Sequence, residues 1–276
     1  MAYAFPGEGA LDYFPCNYGT SRLTFRGPRR SLERPYVAFL GGAETYGKYV
    51  PDPFADLVED ELGFASINLG CINAGPDVYL AEPEVIRIAQ GAEAVVLQIM
   101  GAANLSNRYY SVHPRRNDRF IAATPLLSTL FREVDFTEFN FTRHMLTTLE
   151  ATSKERFEIV AEDLRQTWLA RMADLLGQLP ARTVLLWMSD GPPMPNTLRR
   201  GLKEDPVLVD RAMVAEIIPK ARAYVEAVTS APARQASLDG MAFAALEALA
   251  AAALPGPSVH REVAAKLVQA LDEVLK

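Results

Sequence analysis

The sequence predicts an α/β protein, a three-layer sandwich with about five parallel strands between helices. Three observations lead to this prediction. Short apolar runs of strand length recur along the chain, most of them stop at a glycine, and amphipathic segments of helical period lie between them. Strands that alternate with helices in this way are typical of βαβ units, which form parallel sheets.

The first strand and the turn after it are the centre of the prediction. Tyr36-Val-Ala-Phe-Leu40 is a continuous apolar run that stops at Gly41 and Gly42, and residues 54–62 then follow with a helical pattern. In open α/β sheets, the turn at the carboxyl end of a strand is the usual place for a binding site. We therefore expect a ligand site at this turn.

The same patterns place the other elements along the chain. Further strands are predicted at residues 65–69, 94–99 and 183–188. Helices are predicted at residues 84–90, 154–179, 209–228, 241–254 and 261–275. A weak fifth strand is expected where the segment 209–228 ends, and the alanine-rich segment 241–254 is expected to be a buried helix.

The domain organisation follows from the segments that break this rhythm. Residues 1–34 are rich in Gly, Pro and aromatic residues and predict an extension packed on the domain, because disordered tails are poor in Tyr and Phe. Residues 102–150 are polar and aromatic and predict a partly helical insertion after the third strand. The expectation is one α/β domain over residues 35–276 that contains this insertion.

Composition narrows the classes of function. A net charge of −6 over 276 residues argues against a general nucleic-acid binder. Cys16 and Cys71 lie in unrelated contexts, so we expect no metal site, no disulfide framework and no cofactor. The chain starts without a basic region followed by an apolar core, and residues 241–254 are too few to span a bilayer. The expected location is cytoplasmic, without membrane contact, and the oligomeric state stays open.

Four short blocks in chain order give a resemblance to a known superfamily. They are Gly41-Gly-Ala-Glu-Thr-Tyr-Gly47, Asn68-Leu-Gly70, Gly101-Ala-Ala-Asn104 and Pro257-Ser-Val-His260. In this order, at strand ends and before a terminal helix, they resemble the SGNH-hydrolase (GDSL-like) superfamily, which has a flavodoxin-like α/β fold. The resemblance implies a cleft lined by Gly41, Gly42, Ala43, Gly70 and Asn104, with His260 as the base.

The chain departs from the chemistry of that superfamily at two positions. A serine nucleophile, a histidine base and an aspartate that orients the histidine are needed there. Ala43 stands at the serine position and Pro257 at the aspartate position, so a conventional serine esterase is not expected. Asn104 also lies one position later than the superfamily asparagine.

Other side chains near the turn offer different chemistry. Thr45 or Ser258 could act as a displaced nucleophile, or Glu44 and His260 could exchange protons with a bound water or hydroxyl. The simplest interpretation is that Glu44 and Thr45 cap the segment after the turn. Whether the protein is an enzyme stays open; if it is active, a hydrolase or an acyl or group transferase is expected.

The turn also permits a second interpretation. Gly42-Ala-Glu-Thr-Tyr-Gly-Lys48 fits the G-x-x-x-x-G-K pattern of a phosphate-binding loop, which would make the protein a nucleotide- or sulfonucleotide-dependent transferase. Tyr49 stands where Ser or Thr should hold magnesium, and Pro51 and Pro53 fall where the phosphate-binding helix should run. This alternative therefore ranks second.

A basic cluster in the insertion gives candidate anion contacts. His113-Pro-Arg-Arg-Asn-Asp-Arg119 contains His113, Arg115, Arg116 and Arg119, and arginine suits bidentate binding of carboxylate, sulfate or phosphate. The competing interpretation is a solvated loop. Taken together, the sequence predicts a serine-less SGNH-like protein that binds or modifies a small anionic or carbohydrate-like molecule. A partner-binding pseudoenzyme is the third hypothesis.

The chain also resembles, along its length, an alphaproteobacterial family of unknown function. The shared stretches include Tyr13-Phe-Pro-Cys16, Gly41-Gly-Ala-Glu-Thr45 and His113-Pro-Arg-Arg-Asn-Asp-Arg-Phe120. That resemblance implies no activity. It implies that Ala43 is part of the family's design.

Overall fold

The computed structural model describes residues 9–198, 201–236 and 238–276. The first eight residues of the predicted extension lie outside them. The strands of the described residues are β1 (Tyr36–Leu40), β2 (Ala65–Asn68), β3 (Ala94–Gln98), β4 (Tyr110–His113), β5 (Arg116–Ala123), β6 (Thr183–Ser189) and β7 (Ala223–Val228). The α-helices are α1 (Ala43–Tyr46), α2 (Phe54–Leu62), α3 (Pro76–Leu80), α4 (Pro83–Gln90), α5 (Pro125–Leu130), α6 (Thr142–Thr152), α7 (Lys154–Gln178), α8 (Arg211–Ile217), α9 (Ala231–Gln235), α10 (Ala248–Ala251) and α11 (Pro257–Leu275).

Five of the strands form a parallel sheet in the order β2-β1-β3-β6-β7. Numbered by their own sequence, these five strands follow the order 2-1-3-4-5, which is the flavodoxin-like order. The predicted fold class, an α/β sandwich with five parallel strands, is therefore confirmed. β4 and β5 pair with each other as an antiparallel hairpin outside this sheet, within the predicted insertion after the third strand.

Helices cover both faces of the sheet, and its central strands are apolar on both sides. Alternate side chains of a strand point to opposite faces. In β1, Val37 and Phe39 join the core under α2 and α11, while Ala38 and Leu40 join the larger core that includes α7. This double burial explains why the strands are short uninterrupted apolar runs.

The described part of the N-terminal extension packs against the larger core. Tyr18, Leu23 and Phe25 are buried in it. The guanidinium group of Arg26 is also buried and donates hydrogen bonds to the carbonyls of Gly47 (2.7 Å) and Val50 (2.9 Å). The extension therefore holds the loop that follows the turn after β1.

Two predicted helices are wrong. The segment 209–228 contains a helix of only seven residues, α8, a 3-10 turn and then the fifth strand, β7. The segment 241–254 is not one buried helix: it holds a 3-10 turn and the four-residue α10. Leu246 and Leu249 are 101% and 90% exposed. The segment is apolar mainly because it is rich in alanine. Burial of an alanine side chain gains little free energy, so the alanines do not require the segment to be buried.

This exposure predicts that two leucines of an apolar segment contribute little to stability. We expect the double variant Leu246→Ser, Leu249→Ser to change the free energy of unfolding by no more than about 0.5 kcal/mol, because neither side chain leaves water on folding. Leu267→Ala in α11 is the matched control, since Leu267 is fully buried and its truncation is expected to cost about 2–5 kcal/mol. Urea unfolding measures the stability of both variants. A loss of several kcal/mol in the double variant would mean that the two leucines are buried, as the sequence predicts.

Candidate functional site

A cavity of about 510 Å³ opens at the carboxyl ends of the central strands. Its wall includes Gly42 to Glu44 after β1, residues 98–101 at the end of β3, and Met188 near the end of β6. In the flavodoxin-like order, β1 and β3 flank the point at which the sheet reverses its direction of growth, and ligands bind there in this class of fold. The cavity therefore lies where the topology places a binding site.

The turn after β1 is built around the side chain of Gln98. Its amide oxygen accepts hydrogen bonds from the backbone N–H of Gly42 (2.9 Å) and the hydroxyl of Thr45 (2.6 Å), and its amide nitrogen donates to Glu44 (2.9 Å). Gly41 is needed here because a Cβ atom on it would lie 2.4 Å from the Gln98 amide oxygen. The glycine pair thus lets a buried amide reach the turn.

Glu44 is the acidic side chain that this turn presents to the cavity. Burial raises the pKa of its carboxyl group, and the hydrogen bond from Gln98 opposes that change. The charge of Asp205 raises the pKa further, while Arg143 lowers it. A carboxyl group with a raised pKa in a cleft is suited to exchange a proton with a bound ligand.

The remaining cavity wall is polar on one side and apolar on another. Its charged members are three acids and two bases: Glu44, Asp118 and Asp205, with Lys48 and Arg143. Arg143 pairs with Asp205 at 3.0 Å. The apolar members include Ile72, Phe141, Val207, Ala250, Ala253 and Leu254. The charges nearly cancel, so the cavity is not a strongly positive anion pocket.

Asn104 lines the cavity, as the sequence predicts for a binding residue. Its side chain accepts a hydrogen bond from Thr142 (2.7 Å) and donates one to the carbonyl of Asn73 (3.2 Å). Thr142 begins α6, so this pair ties the insertion to the rim of the cavity.

Gly41, Gly42, Ala43 and Gly70 meet at the turn, but not as a set of oxyanion donors. Gly42 and Ala43 line the cavity. The N–H of Gly41 donates to the Tyr79 hydroxyl (2.8 Å), that of Gly42 to Gln98, and that of Gly70 to Asn68 (3.0 Å). These N–H groups already have acceptors within the fold. The glycines serve close packing, and the geometry offers no support for an oxyanion role.

His260 is the largest departure from the predicted site. It is fully buried, is stacked on Phe54 and lies outside the cavity wall. Its Nδ1 accepts a hydrogen bond from the backbone N–H of Phe54 (3.0 Å), so the proton of the neutral ring is on Nε2. A triad histidine needs the opposite tautomer, with Nε2 free to accept. Burial also lowers the pKa of His260 to about 3, which keeps the ring neutral.

The two displaced-nucleophile candidates are also placed away from catalysis. Thr45 is buried and its hydroxyl donates to Gln98. Ser258 lies in the first turn of α11, where its hydroxyl accepts a hydrogen bond from Arg261 (2.9 Å). Neither side chain lines the cavity. The geometry favours structural roles for both, and for Thr45 this agrees with the simpler interpretation of the turn.

The basic cluster lies on the β4–β5 hairpin and does not line the cavity. Arg115 and Arg116 are exposed, and His113 accepts a hydrogen bond from the backbone N–H of Arg115 (3.2 Å). The Arg119 guanidinium lies 4.6 Å from the centre of the Phe141 ring, and Arg119 does not line the cavity although Phe141 does. The predicted anion contacts of His113, Arg115, Arg116 and Arg119 are therefore not brought to the site.

The turn is not shaped as a phosphate-binding loop. The N–H groups of Tyr46, Gly47 and Lys48 donate hydrogen bonds to backbone carbonyls of the same turn. These acceptors are the carbonyl oxygens of residues 42–44. Amides used in this way cannot cradle a phosphate. The next helix, α2, begins at Phe54, six residues beyond Lys48. Lys48 itself lies over the ring of Tyr49, at 4.5 Å.

Sequence reasoning missed Gln98 and Arg143. Gln98 is a lone polar residue at the carboxyl end of an otherwise apolar strand, and that pattern alone marks it as a candidate. Arg143 comes from α6, within the insertion, and no local pattern shows that α6 reaches the cavity.

Comparison with known proteins places the chain in a family. The match to "Domain of unknown function (DUF6473)" covers residues 1–275. The chain belongs to this family. The match names no activity and no group of organisms, so the alphaproteobacterial resemblance stays a prediction. No curated protein matches the chain.

Several solved structures are similar in fold. A carbohydrate esterase family 2 enzyme with a carbohydrate-binding domain, from Corynascus thermopiles (Myceliophthora fergusii), is 10% identical with a TM-score of 0.45, over 90% of this chain and 69% of that one. An extracellular lipase from Streptomyces rimosus is 11% identical with a TM-score of 0.44, over 87% of this chain and 99% of the lipase. A gut microbial diltiazem-metabolizing enzyme is 12% identical with a TM-score of 0.39, over 87% of this chain and 47% of that enzyme. Likenesses this low carry no argument about what the chain does.

In the described parts of the chain, none of the helices is both long and apolar enough to cross a bilayer.

Proposed function

We propose that the protein is a serine-less SGNH-like protein that binds a small hydroxylated, carbohydrate-like molecule in the cavity and uses Glu44 to exchange a proton with it. The observation that carries this proposal is the Glu44 carboxyl group, whose pKa is raised by burial, in the wall of a 510 Å³ cavity at the β1–β3 switch point. Any turnover would be a hydrolysis or group transfer without a covalent enzyme intermediate.

The lining of the cavity favours a hydroxylated ligand over a strongly anionic one. Three carboxyl groups stand against two cations, and one of those cations, Arg143, is paired with Asp205. A phosphate or sulfate would find no excess of positive charge in this wall. Hydroxyl groups both donate and accept hydrogen bonds, so they suit carboxylates such as Glu44 and amides such as Asn104 together.

We propose no covalent enzyme intermediate because of the residues at two positions of the chain. Ala43 lines the cavity at the point where a nucleophile would stand, and a methyl group cannot attack. The neutral His260 ring carries its proton on Nε2, because Nδ1 accepts from the N–H of Phe54, so Nε2 cannot take up a proton from a nucleophile. If Glu44 does not act on the bound molecule, the same cleft remains a binding site, which is the pseudoenzyme alternative.

A thermal-shift panel tests the proposal on the purified protein. The panel contains neutral monosaccharides and their acetyl esters, acidic sugars, sulfate, phosphate, and nucleotides with magnesium. A ligand that binds only the native state raises the melting temperature by mass action. We expect a shift with the neutral sugars or their esters that is lost in Glu44→Gln. A shift with nucleotides alone would overturn the proposal in favour of the transferase.

Two sets of arginines give opposite expectations for ligand binding. Arg143→Gln is expected to weaken binding severalfold, because it removes a donor from the cavity wall and leaves Asp205 unpaired there. The double variant Arg115→Ser, Arg116→Ser is expected to leave binding unchanged, since both side chains are exposed on the hairpin. Calorimetric titration with the panel ligand measures both. If the hairpin variant bound the ligand more weakly and Arg143→Gln did not, the ligand site would lie at the basic cluster instead of the cavity.

A further inference from the structure

Gln98 is a buried polar side chain at the carboxyl end of β3, the third strand across the five-stranded sheet. It ends β3, lies beside Leu186 of β6, and is only 4% exposed. Its four predecessors in β3 are apolar. A buried amide in such surroundings is costly unless its donors and acceptors are used.

The hydrogen bonds of Gln98 fix which way its amide group points. A backbone N–H can only donate, so the atom that faces the N–H of Gly42 at 2.9 Å must be the amide oxygen. The Thr45 hydroxyl donates to the same oxygen at 2.6 Å. The amide nitrogen must therefore face the Glu44 carboxyl oxygen, 2.9 Å away, and can only donate to it.

The side chains bonded to Gln98 lie directly against the glycine pair. A Cβ atom at Gly41 would lie 2.2 Å from the Thr45 hydroxyl oxygen, and one at Gly42 would lie 2.7 Å from a Glu44 carboxyl oxygen. The two glycines, Gln98, Thr45 and Glu44 therefore form one closely packed unit, and Glu44 is its acidic group in the cavity wall.

We propose that Gln98 is the positioning residue of this site, which holds the Glu44 carboxyl group at the cavity wall and sets the pH at which that group exchanges its proton. An obligatory donor at 2.9 Å stabilises the carboxylate and disfavours rotation of the side chain. The other charged groups of the cavity wall are Lys48, Asp118, Arg143 and Asp205. The use of that proton on a ligand rests on the proposed function; the coupling of Gln98 to Glu44 does not.

Gln98→Glu separates the donor role from the structural role. The new carboxyl group keeps an oxygen for Gly42 and Thr45, but it replaces the donor to Glu44 with a second acid. Two adjacent carboxyl groups share a proton, and the titration of the pair moves up. In a carbon-13 NMR titration of labelled protein, we expect the midpoint of the Glu44 signal to rise by about one pH unit or more. An unchanged midpoint would overturn the proposal.

Thr45→Val is the matched control for a merely structural role. It removes the other donor to the Gln98 oxygen and leaves the amide nitrogen bonded to Glu44. We expect lower stability with a midpoint that stays in place. A shift in Thr45→Val equal to that in Gln98→Glu would mean that the turn as a whole, and not the donor, controls Glu44.

The wild-type protein provides a second measurement that does not depend on whether Gln98→Glu folds. The side-chain amide signal of Gln98 should shift with pH along the titration of Glu44, and this step should vanish in Glu44→Gln. If the chemical shift of the Gln98 amide did not change as Glu44 titrates, the proposal would be contradicted. None of these experiments needs a ligand, so a failure of ligand binding would remove the proposed function and leave this inference standing.

Discussion

Glu44→Gln is expected to weaken binding of the hydroxylated ligand by about tenfold to a hundredfold. A hydrogen bond to a charged group contributes about 1.5–3 kcal/mol, and each 1.4 kcal/mol is a factor of ten in affinity. Glutamine has the same shape and can still accept from Gln98, so the fold is retained. If the protein turns a substrate over, loss of the proton-exchanging group should lower the rate by about 10²–10⁴-fold.

The control for this variant is Glu61→Gln, on the exposed side of α2. It changes the net charge equally and touches nothing in the cavity, so affinity should stay as in the wild type. Calorimetric titration compares the three proteins. Equal weakening in both variants would mean a long-range charge effect, and no weakening in Glu44→Gln would remove Glu44 from the site.

The same variant should change how stability depends on pH. The pKa of Glu44 is raised in the folded state above its ordinary value of 4.5, so the folded state holds this proton more tightly than the unfolded chain. The stability that comes from this proton is present below pH 4.5 and is lost as pH rises through the raised pKa. Glu44→Gln should remove this loss, and wild-type stability above that range should therefore fall relative to the variant.

Gly70→Ala is expected to destabilise the protein by about 3–5 kcal/mol, a large share of the roughly 5–15 kcal/mol that stabilises an ordinary domain. A Cβ atom at this position would lie 2.4 Å from the backbone nitrogen of Tyr46 and 2.8 Å from the carbonyl carbon of Thr45. These are backbone atoms of the turn, which Gln98 and Asn68 hold in place, so the clash cannot be relieved by a change of rotamer. Urea unfolding, or the loss of soluble protein on expression, measures the effect.

Gly177→Ala is the matched control for Gly70→Ala. Gly177 lies near the end of α7, and a Cβ atom there would have nothing within 4 Å. Alanine is the better helix former, so this variant should be as stable as the wild type or more stable by up to about 1 kcal/mol. If Gly70→Ala were equally well tolerated, the close packing of the turn described above would be wrong.

Much of the fold could be predicted because most of its strands are short apolar runs that end at glycine or polar turn residues. β1, β2, β3 and β6 fall where the runs of residues 36–40, 65–69, 94–99 and 183–188 place them. Their double burial leaves no alternation to confuse with a helix face. The prediction for segment 241–254 is wrong because alanine makes a sequence apolar without requiring burial, and Leu246 and Leu249 are exposed to solvent.

The candidate site could be predicted in position but only partly in its members. The turn after β1 and Asn104 lie at the cavity, as the blocks Gly41 to Gly47 and Gly101 to Asn104 indicate. His260 follows the superfamily pattern in sequence, yet the backbone N–H of Phe54 takes its Nδ1, and sequence carries no sign of that contact.

The insertion shows a second limit of sequence reasoning. Its arginine cluster lies on the hairpin and does not line the cavity, whereas Arg143 in the first turn of α6 does. Local sequence shows the charge of each segment but does not show which segment of an insertion faces the site.

The most direct test of the account is a crystal structure of the protein with the tightest-binding panel ligand. The account predicts ligand density in the cavity, with a hydroxyl group within hydrogen-bond distance of Glu44 and the ligand in reach of Asn104 and Arg143. An ordered ligand on the β4–β5 hairpin beside Arg115 and Arg116, with the cavity empty, would contradict it.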